Sequence, residues 1–292
     1  MRGYREFLYI LPFIILVAIF AYYPLYGWAY AFFDYKPPKA LSMDDFVGLK
    51  WFRYLVDNPV RIKQTLMVLR NTFAMSGLTI LFSWLPMIFA VFLNEIKCMP
   101  FRKFVQTVTT LPNFISWVLV FSICYCMFNS TGMANSLLIQ MGVLEKPIAF
   151  LQSSNHIWLK MWLWSTWKSL GWSAIMYIAA ISGIDAELYE AAKVDGAGEW
   201  KCFTKITLPN LLPSLFTIVV LSVLNAFKVF REAYLVAGDY PQEKMYLLQH
   251  LFNNWYRDLS LDKMSAAAVV TGLVIFLLIL GLWKAWGKGG AE

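Results

Sequence analysis

The sequence predicts an all-α integral membrane protein of about six transmembrane helices. Of its 292 residues, 59% are hydrophobic and 15% charged, too few charges for a soluble surface dominated by Lys, Glu, Arg and Asp. The apolar residues fall in long runs, each near the ~20 residues that cross ~30 Å of hydrocarbon at ~1.5 Å per residue. The 13 Trp suit helices whose ends meet a lipid–water interface.

Six spans follow by length and polarity, at about 7–32, 71–93, 104–128, 158–181, 212–236 and 264–286. The first carries no charge, ends in an aromatic cluster (Tyr22, Tyr23, Tyr26, Trp28, Tyr30), and is too long for the core of a signal peptide. The second is uncharged, with Pro86 as its expected kink, and the third carries Pro112 near its start. Lys168 interrupts the fourth; Lys228, Arg231 and Glu232 lie in the second half of the fifth; Lys284 and Lys288 close the sixth.

No soluble domain, linker or repeat stands out, so residues 1–292 are expected to form a single transmembrane domain. Residues 46–56 (FVGLKWFRYLV) mix apolar and basic side chains and suit a segment lying on the membrane surface. The net charge of +7 sits mostly between the apolar runs, near headgroups rather than nucleic acid. Basic residues are denser in the segments that lie inside if both termini are cytoplasmic, a weak argument for that orientation.

Residues 183–211 form an unusual loop between spans four and five. Leu188 to Val194 is a strong helix former, and Gly196 and Gly198 then break it. A second short helix fits Trp200, Phe203 and Ile206, three apart on one face, with Pro209 as its expected end. The product is a helix–turn–helix at the membrane surface, with small and acidic residues available to a partner's groove.

This segment, EAAKVDGAGEWKCFTKITLP, resembles the EAA loop of permeases from binding-protein-dependent ABC importers. The pattern is met at Glu190, Ala191, Ala192, Asp195, Gly196, Ala197, Phe203, Ile206, Leu208 and Pro209, with nine residues between Gly196 and Ile206. Further strings are similar to the sugar-importer branch, above all its oligosaccharide and polysaccharide permeases: FVGLKWFRYL, Asn71-Thr72, LPNFISW at 111–117 and FKVFREAYLVAGDYP at 227–241. The Gly-Gly-x-Pro common after span five reads Gly238-Asp239-Tyr240-Pro241 here.

The resemblance implies a bacterial inner-membrane subunit that moves a carbohydrate. The power comes from ATP and Mg bound by two cytoplasmic ATPase subunits, this chain holding no cofactor. Its other partners would be a second, non-identical permease and an external solute-binding protein. Glu190 to Gly196 would be the coupling helix seated on the ATPase: Ala191 and Ala192 allow close entry, and Glu190 and Asp195 accept charge-assisted hydrogen bonds. Phe203, Ile206 and Leu208 would anchor the loop to the membrane body.

Ionisable groups inside a bilayer normally face a partner or a watery cavity. Lys228 and Glu232, four apart, suit an ion pair on one helix face, and Arg231 suits snorkelling to the interface. The competing assignment is a sugar pathway lined by Asn225, Lys228, Arg231, Glu232 and Lys168, whose excess of base suits an anionic, uronate-like sugar.

Catalytic chemistry is not indicated. Gly281 to Gly289 lacks the Ser/Thr and spacing of a phosphate-binding loop. His156 and His250 lie far apart, both expected at the outer surface, and Cys98, Cys124, Cys126 and Cys202 show no metal-ligand spacing. The alternative function is an ATP-independent secondary transporter or channel, though inverted repeats and broken helices are not visible in the sequence.

Overall fold

The computed structural model describes residues 2–148, 150, 156–228 and 243–289, with side chains between residues 6 and 286. Among the described residues the chain is helical, with one isolated bridge between Phe33 and Phe46 and no strand. Five helical stretches among the described residues are long and apolar enough to cross a membrane, or six if the bent pair Ile157–Ser182 and Ala186–Val194 is counted as one span. The chain divides into two compact units, residues 1–66 with 251–281, and residues 67–250 with 282–292.

In the first unit, α1 (Arg2–Val17) continues through a π turn (Ala18–Tyr22) into a 3-10 helix (Tyr23–Phe32), together making the first span. None of that span's apolar window is buried, so lipid or another protein must cover it. The chain then doubles back. Asp34 N–H donates to the Asp45 carbonyl at 2.8 Å and Val47 N–H to Phe32 at 2.9 Å. This presents α2 (Lys50–Tyr54), whose buried Trp51 donates its indole N–H to the Phe33 carbonyl at 2.9 Å. The segment expected on the membrane surface is thus a single helical turn held to the end of span one. Trp51 packs with Ala31 and with Ala266 of the last helix, where Ser265 also donates to the Gly27 carbonyl at 2.9 Å. Lys50 donates to Asp34 at 2.9 Å, and that hydrogen bond holds the Asp34 carboxyl below its ordinary 3.8 against the opposing effect of burial.

The second and third spans run differently from expectation. The second begins at Pro59, not at residue 71, because α3 (Pro59–Leu81) carries Arg61, Lys63 and Arg70 on turns beyond its apolar part. It breaks at residues 82–84, ahead of Pro86, which occupies the first turn of α4 (Leu85–Glu95), where its missing N–H costs nothing. The third is not one helix. α5 (Met99–Thr110) gives way to a 3-10 turn over Leu111–Phe114, and α6 (Trp117–Phe128) starts afresh with Ser116 Oγ accepting the Leu119 N–H at 3.3 Å. The stretch long enough to span is Trp117–Gln140, α6 together with α7 (Met133–Gln140).

Where the fourth and sixth spans are expected lie α8 (Ile157–Ser182) and a terminal helix over Leu261–Gly289. The coupling segment supplies α9 (Ala186–Val194), α10 (Glu199–Cys202), a π turn (Phe203–Thr207) and α11 (Leu208–Asn225). After α11 come α12 (Leu248–Arg257) and α13 (Leu261–Gly289). The second half of the expected fifth span, with Arg231, Glu232 and residues 238–241, lies outside the described residues.

The core of the second unit joins α4, α8 and α11 through Met87, Ala90, Ala174, Tyr177, Ile181 and Leu211. Asn71 and Thr72, both buried, serve the backbone of the segment before α12. Asn71 Nδ2 donates to the carbonyls of Glu243 (2.6 Å) and Tyr246 (3.1 Å), and Thr72 Oγ1 accepts the Leu248 N–H at 3.1 Å. His250, expected at an outer surface, is buried, its Nδ1 accepting the Leu247 N–H at 3.3 Å.

Candidate functional site

The coupling segment is an exposed, well-braced protrusion. Asp185 caps α9 by accepting the Glu187 N–H at 3.0 Å. The helix ends in a Schellman-type closure: Ala197 N–H reaches Ala192 at 2.8 Å, Gly196 N–H reaches Lys193 at 3.1 Å, and Gly196 has φ +74°. Gly198, the other expected breaker, has φ −74° and simply precedes α10. Only Gly196 needs the freedom of glycine.

Pro209 does not end the helix. One helical run extends from Glu199 to Lys228, and the π turn just before Pro209 absorbs its missing donor: Leu208 N–H bonds Phe203, five residues back. Tyr189 OH and Thr207 Oγ1 lie 2.8 Å apart, tying α9 to the start of α11. Phe203, Ile206 and Leu208 are half-buried, with Leu208 packed against the buried cluster that joins α4, α8 and α11. Glu190, Ala191, Asp195, Gly196 and Pro209 are exposed, and Ala192 and Ala197 half-exposed. Two large apolar groups stand out into solvent here, Val194 at 88% and Trp200 at 74% exposure. Exposed apolar groups beside acids on a rigid support are what a docking face requires.

α3, α8 and α11 line an open cavity of about 470 Å³. Its wall follows one helical stripe on each element: Ser76 and Thr79; Ser165, Trp172, Ser173 and Met176; Ile218, Ser222 and Asn225. Hydroxyls, an amide and the rings of Trp162 and Trp172 line it, the surface that a polyhydroxylated ring with apolar faces fits. Of the residues singled out in the sequence for a sugar pathway, Asn225 lines this cavity; its hydroxyls and tryptophans were not singled out, because charges drew attention away from small hydroxyls at helical spacing.

Lys228 is exposed at the end of α11 and does not line this cavity. Lys168 is turned elsewhere too. It is only 6% exposed, and its ammonium donates to the carbonyls of Pro112 (2.8 Å), Asn113 (2.9 Å) and Ile115 (2.6 Å), 5.4 Å from the Trp117 ring centroid. Its charge is satisfied by the broken backbone of span three, which is how a buried ion in an apolar span is made tolerable. Arg231 and Glu232 lie outside the described residues. Among the described residues no group of three or more His, Cys, Asp or Glu is arranged to hold a metal.

Residues 84–286 match the family described as binding-protein-dependent transport system inner membrane component. The chain belongs to this family. It is therefore a multi-pass inner-membrane transport subunit. The permease is 31% identical, over 97% of its length and 89% of the relative's, to the polygalacturonan/rhamnogalacturonan transport system permease protein YteP of Bacillus subtilis (strain 168). It is 27% identical, over 94% of its length and 84% of the relative's, to the arabinooligosaccharides transport system permease protein AraP of the same organism. Its fold matches a chain in the crystal structure of a bacterial ABC transporter involved in the import of the acidic polysaccharide alginate. That match has a TM-score of 0.83 and 28% identity and covers 98% of this chain and 96% of the other. A second matching structure is the bacterial alginate ABC transporter in complex with alginate pentasaccharide-bound periplasmic protein, with a TM-score of 0.81, 28% identity, and 96% and 93% coverage.

Proposed function

We propose that this permease forms part of the pathway by which an ABC importer moves an oligosaccharide or polysaccharide fragment across the inner membrane. One observation carries the proposal. α8 lines the hydroxyl- and tryptophan-rich cavity, then bends by 64° into the exposed α9, so cavity wall and protrusion are consecutive parts of one stretch. A displacement of α9 is delivered directly to the wall.

On this account Glu190, Ala191, Ala192, Asp195, Gly196 and Ala197 meet a cytoplasmic ATPase, while Phe203, Ile206, Leu208 and Pro209 hold the loop to the body. ATP and Mg bind in two ATPase chains, and their closure is the power stroke. Both termini lie in the cytoplasm. An external binding protein delivers sugar, and a second, non-identical permease supplies the facing wall, covering apolar surface such as the first span. Similarity to permeases for polygalacturonan, arabinooligosaccharides and alginate supports a carbohydrate, with acidic sugars included.

The test is uptake in a strain dependent on this permease, offered oligogalacturonides and arabino-oligosaccharides. Replacement of Trp172 or Ser173 by Ala is expected to reduce sugar-dependent uptake with the ATPase subunits still bound. Unaltered uptake by both variants would remove the cavity from the pathway.

A further inference from the structure

Lys168 occupies a junction that the transport cycle described above does not explain. Span three is broken, and a break leaves backbone carbonyls without intrahelical donors. An ammonium is a strong multiple donor, and here it bonds three carbonyls of that break, those of Pro112, Asn113 and Ile115. One turn further along the same face, Gly171 has no side chain, and a Cβ there would overlap the Thr109 carbonyl and lie 2.7 Å from Thr110 N. The end of α5 therefore rests directly on the backbone of α8. On the cavity side, Phe114 of the break meets Trp172 edge-on, with centroids 5.7 Å apart at 89°. α8 thus grips the break through an ion, a backbone contact and a ring contact, while its own residues line the cavity and its end leads into α9.

We propose that Lys168 is a positioning residue that makes the break of span three travel with α8. A stroke delivered at α9 then moves the cavity wall and the start of α6 as one piece. Without the ammonium all three carbonyls lose this partner, Pro112 keeping only the Ile115 N–H at 3.2 Å, and the break slides against α8 instead of following it. This inference rests on the coupling role proposed for α9.

The test uses the complete transporter, with Cys98 and Cys126 replaced by Ser and Ser173→Cys as a reporter in the cavity. Thiol modification of the reporter is compared between the nucleotide-free and the ATP–vanadate states. With Lys168 present the two rates are expected to differ by at least about fivefold, the lower range of coupling between distinct sites. In Lys168→Met the difference is expected to fall below about twofold, while ATP hydrolysis continues, so the motor runs without moving the wall. Should Lys168→Met fail to assemble, Lys168→Ala prepared with propylammonium supplies the same donors from solution. Removing the propylammonium from the assembled complex is expected to abolish the nucleotide dependence, and returning it to restore it; propanol is expected to do nothing. A Lys168→Met complex with an undiminished nucleotide dependence overturns the proposal. So does a parallel loss of hydrolysis and reporter response, which marks general damage. If the Lys168 complex itself binds no ATPase, it is the coupling role of α9 that fails, and this inference falls with it.

Discussion

Substituting serine at Gly196 and at Gly198 separates the backbone requirement of the coupling turn from its side chains. A Cβ meets nothing within 4 Å at either position, so neither substitution causes a clash. The two differ in backbone alone. Gly196 has φ +74°, a left-handed conformation that costs an L-residue about 1–2 kcal/mol. Gly198 has φ −74° and ψ 168°, which any residue adopts, and it sits at the N-cap of α10, where serine is favoured. If α9 docks on an ATPase in the shape seen here, Gly196→Ser must regain that shape at the cost of its strain. Binding should weaken by about 5- to 30-fold, the factor matching 1–2 kcal/mol. Gly198→Ser should bind within about twofold of the parent, and Gly196→Asn should fall between, since Asn tolerates the left-handed region best after glycine. The assay is equilibrium binding of purified ATPase subunits to the permease in lipid nanodiscs. Equal losses at the two glycines, or a larger loss at Gly198, would refute the argument.

Further outcomes follow from other contacts. Gly171→Ala should lower thermal stability by about 1–3 kcal/mol, because the α5 backbone must retreat from α8, whereas the same change at Gly77, where a Cβ meets nothing within 4 Å, should cost less. Trp172→Ala should raise the sugar concentration needed for half-maximal uptake at least several-fold, since stacking surface is lost, while basal ATP hydrolysis is retained; a change in maximal rate alone would contradict this. The Asp34–Lys50 pair should show a pH signature. The Asp34 pKa is lowered in the folded chain, so its stabilisation is present above the ordinary 3.8 and disappears as pH falls through the folded value. Thermal melts of Lys50→Met and the parent should therefore differ at pH 6 and converge at the acid end. The gap should stay well under about 1 kcal/mol, because the pair is largely open to solvent.

What the sequence revealed depended on how local the signal was. The coupling segment was legible in its chemistry because a left-handed turn, a helix cap and an anchoring ring lie within about twenty consecutive residues. Pro209 misled because a proline ends a helix only when its missing donor is not accommodated, and the π turn over Phe203–Thr207 accommodates it. Span three misled for a longer-range reason. An apolar run of the right length is the same string whether its helix is continuous or broken, and the group that makes the break tolerable, Lys168, lies more than fifty residues away on another helix. The cavity was hidden because serines, threonines and tryptophans are ordinary in transmembrane helices. Only the packing of α3, α8 and α11 shows that Ser76, Ser173 and Ser222 face a common space.

The most direct test of the account is where Val194, at the tip of α9 and 88% exposed, comes to lie in the working transporter. With Cys98 and Cys126 replaced by Ser, Val194→Cys should cross-link to an ATPase subunit through a short bifunctional thiol reagent, and intact cells should shield it from an impermeant maleimide. Labelling of that cysteine from outside the cell, with no cross-linked ATPase, would contradict the account.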